Sequence, residues 1–581
     1  MNNMIRHISI QIPGRQYVAY RNTKRRACHS LFVSCLIVSG LCLSLFIQTA
    51  SGQATGQTPS LSMAPLNPEF IAWQKKKAET SLKTLDRKDQ FHGYIPPTYD
   101  WSHLRSQKLS ISFFDAVPSK FDLRESGHVT SVKNKGNCGC CWSFATYSSL
   151  ESWLLKNRGE RWDFSENHLK NHHGFDDEPC DGGDDLMSAA YLTRWSGPVS
   201  ESDDPYYPGD DRSSPGGPCQ KYVQTVLIFS TVDEIKNALM TYGGLWTSMC
   251  LDESLFNASS NTYYYSGSGD RNHAVTLVGW DDNKTVPGAP DKGAWIAKND
   301  FGTNWGENGY FYISYYDSKA VKIMNVYFQE EVPYAVTFCD AVPASTYVTN
   351  YQYDPLGLIS SVGYDDITTL WGANIYTAWA DEYLGAVGFY ALRKNTSYEI
   401  YIYDNFNGSE FSHPLGPKTS GTLTYPGYHT VTLSSPIPLT MGDDFSIVIK
   451  FTTPGYDRPV AIELPIEDNS SAATANLGQS YFSGDGEEFS DITSIDGFEN
   501  ANICIKGLTV PGPAFVDIGL RVFDGSEIIS IACEPEENLT SPLRIAKNGK
   551  IYGIVLVDPS DPHASKMIIQ TGSGPKAMRK F

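Results

Sequence analysis

The sequence predicts several domains: a domain of mixed α and β structure, then an all-β sandwich, then a small β domain at the C-terminus. Its 581 residues suffice for three or four domains of ordinary size. Helical and strand patterns mix up to about residue 332, whereas short alternating runs separated by Gly and Pro fill the rest. The 34 Tyr, 49 Gly and 33 Pro are typical of a β-rich, turn-rich globular protein.

Charge and cysteine content limit the possible functions. The formal net charge is −19. Binding of nucleic-acid phosphates requires clustered Lys and Arg, so we expect no nucleic-acid partner. The 12 cysteines are too few for a disulfide scaffold, but enough for a few disulfides or one reactive thiol.

Residues 1–52 have the composition of a secretory signal peptide. No acidic residue precedes Glu69, and Arg and Lys residues come before an uncharged run from Leu31 to Ile47, which the small residues Ala50-Ser51-Gly52 follow. We therefore expect cleavage near residues 50–54 and a secreted or cell-envelope protein. The mature chain is expected to have no membrane span, and an uncleaved anchor is the alternative.

The remaining chain divides by composition. Residues 53–116 are a linker followed by a helix, which starts at Asn67-Pro68-Glu69 and fades near Asp89. The mixed domain covers residues 117–332 and the sandwich covers residues 340–509. The last unit, residues 514–581, contains Asn548-Gly549 between two apolar runs, which predicts a hairpin with a two-residue turn.

Residues 135–144, Lys-Gly-Asn-Cys-Gly-Cys-Cys-Trp-Ser-Phe, are the most informative stretch for chemistry. A metal site, a redox pair and buried structural thiols are the alternatives. A redox pair, Cys138 with Cys141, lacks the expected βαβ surroundings. A metal site would need a second ligand pair at suitable spacing, for which the candidates are His168, His172, His173 and Cys180.

The residues after Cys141 predict a helix that ends at Gly159, so Cys141 lies at a helix N-terminus. Unpaired N–H groups and the helix dipole stabilise a thiolate there. This matters because an ordinary thiol, with a pKa of about 8.5, is only a few per cent ionised at pH 7.

A nucleophilic thiolate needs a base, and the base needs an orienting group. His273 stands at the start of an apolar strand, residues 273–280, and Asn299 ends a second strand, residues 294–299. They follow Cys141 by roughly 130 and 160 residues, close to the separations in the papain and cathepsin signature.

Residues from about 117 to 330 resemble the papain-like cysteine peptidases, which implies an α+β fold of two lobes. Residues 340–509 resemble, more loosely, the lectin-like β domain that accompanies some members. Four blocks in the family's order carry the first resemblance: Cys138-Gly139-Cys140-Cys141-Trp142, Cys180-Asp181-Gly182-Gly183, His273-Ala274-Val275, and Lys298-Asn299 with Trp305-Gly306.

The resemblance implies a role for each site residue. Cys141 attacks the scissile carbonyl as a thiolate, His273 pairs with it and protonates the leaving amine, and Asn299 fixes the imidazole. The backbone N–H of Cys141 forms one arm of the oxyanion hole. Lys135 stands at the second arm, where the family has Gln, so we expect reduced but real activity.

Further implied roles concern substrate and disulfides. Gly182 and Gly183 let an extended substrate pair with the backbone, and Met249 lines the specificity pocket. Cys138 and Cys180 form a disulfide, which leaves Cys141 free. No metal or other cofactor is expected, and the region from the helix at 67–89 to about residue 116 resembles a pro-segment.

Some positions depart from the family pattern or remain open. Cys140 precedes the nucleophile, Phe301 shields the Asn–His contact, and Cys219 lacks a partner because His172 replaces its mate. Asp184-Asp185 is expected to be a solvated loop, with a preference for basic substrates as the alternative. Cys339 and Cys504 are a possible disulfide across the sandwich.

These observations predict a secreted cysteine endopeptidase that acts on protein or peptide substrates. The β domains are expected to hold it near a glycan or cell-surface ligand. The alternative is a catalytically weak or inactive papain-like adhesion or binding protein. Transpeptidation through the same thioester is a third possibility.

Overall fold

A computed structural model describes residues 60–81, 92–104, 117–208, 213, 216–325 and 330–512, with the backbone of several strands beyond them. The predicted signal peptide and its cleavage site lie outside these residues. Among the described residues, no helix combines the length and apolar character needed to cross a bilayer.

The helices in this part of the chain are α1 Pro68–Ser81, α2 Cys141–Arg158, α3 Glu166–His172, α4 Asp185–Thr193 and α5 Val232–Thr241. The strands up to residue 339 are β1 Ser62–Met63, β2 Lys120–Asp122, β3 Lys221–Tyr222, β4 Thr225–Phe229, β5 Leu245–Met249, β6 Thr262–Tyr263, β7 His273–Asp281, β8 Ala294–Lys298, β9 Tyr310–Ser314, β10 Lys322–Asn325, β11 Glu330–Pro333 and β12 Ala335–Cys339.

The strands of the following β region are β13 Val342–Pro343, β14 Asn350–Tyr351, β15 Ser360–Gly363, β16 Thr369–Thr377, β17 Glu382–Ala391, β18 Thr396–Phe406, β19 Phe411–Pro414, β20 Thr419–Leu423, β21 Gly427–Leu439, β22 Asp444–Thr452, β23 Val460–Glu463, β24 Ser480–Ser483, β25 Ser490–Asp491, β26 Asn502–Ile503 and β27 Ile505–Val510. The predicted α+β domain followed by β structure is confirmed.

Helix α2 is the buried centre of the first domain. It begins at Cys141, as predicted, and its side chains are buried as far as Leu154. It ends at Gly159, whose φ of 67° is the left-handed conformation that glycine adopts at helix ends, and the Gly159 N–H lies at the cap with Leu154 O as acceptor. The helix packs with α3 and α4 in one lobe and against β5 and β7 in the other.

The second lobe is built on antiparallel strands. Strand β7 is buried from His273 to Trp280, and it pairs with β5 on one side and β8 on the other. The register sets Met249 opposite His273 and Lys298 opposite Thr276. The start of β7 and the end of β8 therefore lie near each other, at the N-terminus of α2.

One sheet of 12 strands joins the first domain to the β sandwich, in the order β14-β27-β17-β21-β4-β12-β5-β7-β8-β9-β6 with β2 beside β7. The junction is the pairing of Gly427–His429 in β21 with Thr225–Leu227 in β4. A separate sheet of seven strands contains β16, β18 and β22. Its inner face buries Leu370, Ile400, Ile402, Ile447 and Ile449 in the sandwich core.

In the C-terminal region, the structure describes the backbone of paired strands. β28 Val516–Phe523 pairs with β29 Ile528–Cys533, and a second sheet orders β30 Leu543–Lys547, β31 Lys550–Val555, β32 Met567–Thr571 and β33 Gly574–Met578. Lys547 lies opposite Lys550, so the hairpin predicted around Asn548-Gly549 is confirmed by its strands.

Residues 60–81 and 92–104, called the N-terminal segment below, contact both domains. Helix α1 starts as predicted, with Asn67 Oδ1 accepting the Glu69 N–H at 3.0 Å, and it is described to Ser81. Strand β1 pairs with β15 of the sandwich. Arg271, beside the first domain's β7, binds Glu69 of the N-terminal segment at 2.6 Å.

Candidate active site

The structure brings Cys141, His273 and Asn299 together from three elements. Cys141 is the first residue of α2, His273 is the first residue of β7, and Asn299 directly follows β8. His273 Nε2 lies 2.8 Å from Asn299 Oδ1. The Cys141 sulfur, a ring nitrogen of His273 and a carboxylate oxygen of the neighbouring Asp300 all lie within 4.8 Å of one another.

The imidazole of His273 is held in one orientation. An amide oxygen only accepts, so the contact with Asn299 assigns the proton to Nε2 and leaves Nδ1 as the basic nitrogen. Asn299 Oδ1 also accepts the Asp300 N–H at 3.0 Å. The Phe301 ring covers the imidazole, with centroids 5.3 Å apart and planes 27° apart. Phe301 thus has the shielding position that the sequence predicts.

The Cys141 sulfur is buried and accepts the Ala274 N–H at 3.2 Å. Burial raises the pKa of the Cys141 thiol well above its usual value, and Asp300 adds to this effect while Lys135 opposes it. Burial likewise lowers the pKa of His273 well below its usual value. In this closed form the neutral thiol and imidazole are favoured over the predicted thiolate.

The site is closed by residues 92–95 of the N-terminal segment. The Gly183 N–H donates to Gly93 O and the Ile95 N–H donates to Gly183 O, both at 3.1 Å. The N–H groups of His92 and Tyr94 point to Asn272 O at 3.2 and 3.3 Å. The backbone of Gly183 therefore pairs with an extended segment that lies across the site.

Gly93 fits closely under this pairing. Its φ is +115°, and a Cβ added there would lie 2.2 Å from the backbone carbon of Gly139 and 2.7 Å from the Cys140 nitrogen. Gly182 also has a left-handed φ, of +113°. A Cβ on Gly183 would lie 2.4 Å from the Trp142 ring. Only glycine at position 93 lets the backbone of the N-terminal segment approach the backbone of Gly139 and Cys140 this closely.

Lys135 and Met249 are both buried at the site, Lys135 near the Phe301 ring and Met249 on the strand beside His273. The Lys135 ammonium is buried, donates to Cys138 O at 3.3 Å and lies 5.3 Å from the Phe301 ring centroid. The Lys135 N–H donates to Asp300 O at 2.9 Å. Met249 is fully buried opposite His273 on the neighbouring strand.

The cysteine predictions have different outcomes. The Cys138–Cys180 disulfide is present, which excludes a redox pair of Cys138 with Cys141. The possible Cys339–Cys504 disulfide is wrong, because both thiols are free and each contacts other groups, Asp340 and Gly357 O. Cys219 is free, as its lack of a mate implies. Cys140 is free as well, and burial raises its pKa to about 12, as it raises that of Cys141.

The histidines considered as metal ligands have other partners. His168 Nδ1 lies 2.6 Å from the Tyr191 hydroxyl, and His172 Nε2 lies 2.9 Å from the Ser213 hydroxyl. Cys180 is in the disulfide. These residues therefore do not converge as a set of ligands.

The predicted solvated loop at Asp184-Asp185 is wrong. Both carboxyl groups are buried, because Asp184 caps α4 by accepting the Met187 N–H at 2.8 Å and Asp185 accepts the Tyr334 hydroxyl at 2.7 Å. Asp300, a buried acid next to the imidazole, is not among the residues predicted from the sequence. The signal for it in the sequence is an acidic residue directly between Asn299 and Phe301.

Two family models match the chain. Residues 117–330 match the papain family cysteine protease model, and residues 350–509 match the lectin like domain model. A viral cathepsin of Choristoneura fumiferana defective polyhedrosis virus is 37% identical over 205 residues, which cover 34% of this chain and 59% of the relative. A cathepsin L-like proteinase of Fasciola hepatica is 35% identical over 208 residues, 34% of this chain and 60% of the relative. The chain thus spans about three fifths of the length of these relatives.

Solved structures share the order of the two domains. The cysteine protease and lectin-like domains of Cwp84, a surface layer associated protein of Clostridium difficile, superpose with a TM-score of 0.65 at 23% identity, covering 78% of this chain and 99% of that one. Clostridial Cwp84 after propeptide cleavage has a TM-score of 0.59 at 27% identity, covering 68% and 100%. The likeness establishes the fold.

Proposed function

Because the chain joins a papain-family cysteine protease domain to a lectin-like domain, we propose that it is a secreted cysteine endopeptidase with Cys141, His273 and Asn299 as its catalytic residues. The observation that carries the proposal is the 2.8 Å contact between His273 and Asn299, formed beside a cysteine at a helix N-terminus. This contact leaves Nδ1 of the imidazole as the atom that exchanges a proton with the thiol.

The proposed reaction needs only these side chains, the oxyanion hole, the peptide substrate and water. The Cys141 proton passes to His273, the thiolate attacks the peptide carbonyl, and the Cys141 N–H with the Lys135 ammonium stabilises the oxyanion. The imidazolium then protonates the leaving amine as the C–N bond breaks. Water, deprotonated by His273, hydrolyses the thioester and restores the thiol.

The N-terminal segment is proposed to be an inhibitory pro-segment. Its backbone uses the Gly183 N–H and C=O groups that an extended substrate would need, and the His92 ring lies against the His273 ring with centroids 5.2 Å apart. Ion pairs hold it in place, with Arg271–Glu69 at 2.6 Å and Lys77–Asp177 at 2.7 Å. Gly182 and Gly183 then bind substrate once the segment is removed, and Met249 lines the pocket for a substrate side chain.

Digestion of a peptide library tests the proposed activity. We expect the chain, after limited proteolysis N-terminal to Val117, to cleave internal peptide bonds and to release free carboxylates. Absence of cleavage from the opened chain would favour the alternative of an inactive binding protein. Products in which two peptides are joined would instead indicate transpeptidation.

Replacing the orienting amide tests the mechanism. We expect Asn299→Ala to lower kcat about 10- to 100-fold with little change in KM, because the imidazole loses the hydrogen bond that fixes its orientation. Steady-state kinetics on a peptide substrate measure both constants. Asn283→Ala, in an exposed loop, is the matched control. An unchanged kcat would show that Asn299 does not position His273.

The lectin-like domain is proposed to bind a glycan through the outer face of its seven-stranded sheet. Trp371 and Tyr401 lie 5.6 Å apart, and Tyr401 and Tyr403 are nearly parallel at 6.2 Å, so the rings form a row that matches stacked sugar rings. Around the row, Glu399 accepts the Tyr401 hydroxyl at 2.8 Å and pairs with Lys450 at 3.4 Å. This combination of apolar rings and charged groups is typical of ligand sites.

We therefore expect Tyr401→Ala to weaken binding to cell-envelope polysaccharide at least about fivefold, which corresponds to roughly 1 kcal/mol. A pull-down with insoluble polysaccharide, followed by titration, measures the change. Trp379→Ala is the control, because Trp379 is 69% exposed and lies outside the row. Equal binding by all three proteins would contradict the assignment of this face.

The proposed glycan binding, together with the surface-layer association of Cwp84, supports a location at the cell surface.

A further inference from the structure

Asp300 is a buried acid without a hydrogen-bonding role among the described residues. Its side chain is 6% exposed, and neither carboxylate oxygen has a hydrogen-bond partner there. Oδ1 lies 3.8 Å from Nε2 of His273. A buried acid left without partners costs free energy, so its position next to the reacting pair requires an explanation.

The Lys135 ammonium is also buried at this site and interacts electrostatically with Asp300. The two residues are tied through the main chain, since the Lys135 N–H donates to Asp300 O. The Lys135 charge lowers the pKa of Asp300, although burial, the larger effect, raises it to about 7. The Asp300 carboxyl group, which is ionised only above that pKa, and the Lys135 ammonium thus flank Cys141 and His273.

We propose that Asp300 is a positioning residue that acts through His273: its carboxylate offsets the Lys135 ammonium, and the two charges together set the pH range in which the Cys141–His273 ion pair exists. This inference rests on the proposed peptidase function. It makes Lys135 and Asp300 one functional pair, in addition to the oxyanion role proposed for Lys135.

The two charges act in opposite directions on the same ion pair. Where Asp300 is ionised, its carboxylate stabilises the imidazolium and destabilises the thiolate, so it raises the pKa of both groups and moves the alkaline limb of the activity profile to higher pH. An ammonium lowers the pKa of both groups and moves both limbs to lower pH. The limbs belong to the coupled set and not to single residues.

Other charged or titratable groups around Asp300 are common to all variants of the test. His92 lies on the N-terminal segment, Cys140 directly precedes α2, and Tyr206 lies on a loop. The others line a cavity together with Asp300: Lys133, Glu151, Glu166 and Lys298.

The test compares Asp300→Asn, Lys135→Gln and the double variant with the parent chain. Each protein is produced as the full chain and is then opened by limited proteolysis N-terminal to Val117. Two profiles are recorded against pH: kcat/KM for peptide hydrolysis, and the rate at which iodoacetamide alkylates Cys141. Thermal unfolding confirms that each variant is folded, and Asp300→Glu tests rescue of the charge.

We expect Asp300→Asn to move the alkaline limb, where Asp300 is ionised, down by about one pH unit, and Lys135→Gln to move both limbs up by about one unit. On the alkaline limb the double variant should return to within a few tenths of a unit of the parent. Limbs that stay in place, shifts in the same direction for both single variants, or a lower rate without any shift would overturn the proposal.

The two readouts separate this inference from the proposed function. If alkylation shifts as expected but no peptide is cleaved, the charge pair stands and the peptidase function falls. If peptides are cleaved with the same pH profile in every variant, the peptidase function stands and the role of Asp300 falls.

Discussion

Cys141→Ala will lower peptide hydrolysis by a factor on the order of 10⁴ or more, because the proposed mechanism forms the acyl-enzyme on this thiol. The variant retains the helix start, since alanine is a good helix former and the backbone N–H of residue 141 remains. The measurement is the initial rate of peptide cleavage by the opened chain, divided by the total protein concentration.

Cys140→Ala is the matched control for this prediction. Its thiol lies one residue away and contacts the Tyr206 hydroxyl at 3.2 Å, whereas the Cys141 sulfur lies with His273 and Asp300. We expect this variant to keep most of the parent activity. A result in which Cys140→Ala abolishes cleavage and Cys141→Ala does not would reverse the assignment of the nucleophile.

Gly93→Ala will open the uncleaved chain. The added Cβ overlaps backbone atoms of Gly139 at 2.2 Å, and φ at this position is +115°, which strains any residue except glycine. Strain and overlap together cost about 2 kcal/mol or more, so the open fraction rises at least about thirtyfold. The rate of Cys141 alkylation in the intact chain, read by intact mass, measures this fraction.

Gly127→Ala separates the overlap from the backbone strain. Gly127 also has a left-handed φ, of +71°, but a Cβ there meets no atom within 4 Å. We expect this variant to be alkylated as slowly as the parent. Equal alkylation of the Gly93→Ala variant and the parent would show that residues 92–95 do not limit access to Cys141.

Local patterns in the sequence predict much of the site. The apolar spacing after Cys141 and the stop at Gly159 define α2, and the apolar run after His273 defines β7. Each of these signals lies within one element, so its physical cause is present in the local sequence. The contact between His273 and Asn299 then follows once the two strands pair.

Other features depend on contacts between distant parts of the chain. The pairing of Gly93 with Gly183 and of β21 with β4 is set by tertiary packing and leaves no periodic signal. Asp184-Asp185 was misinterpreted for the same reason. A pair of acids is usually solvated, and the hydroxyl of Tyr334 that makes burial of Asp185 tolerable is distant in sequence.

Labelling with a thiol-directed epoxide inhibitor is the most direct test of the ion pair between Cys141 and His273. In the opened chain we predict one adduct, located on Cys141 by peptide mass mapping, and labelling at least about 100-fold slower in His273→Ala. An adduct on another cysteine, or equally fast labelling without His273, would contradict the account.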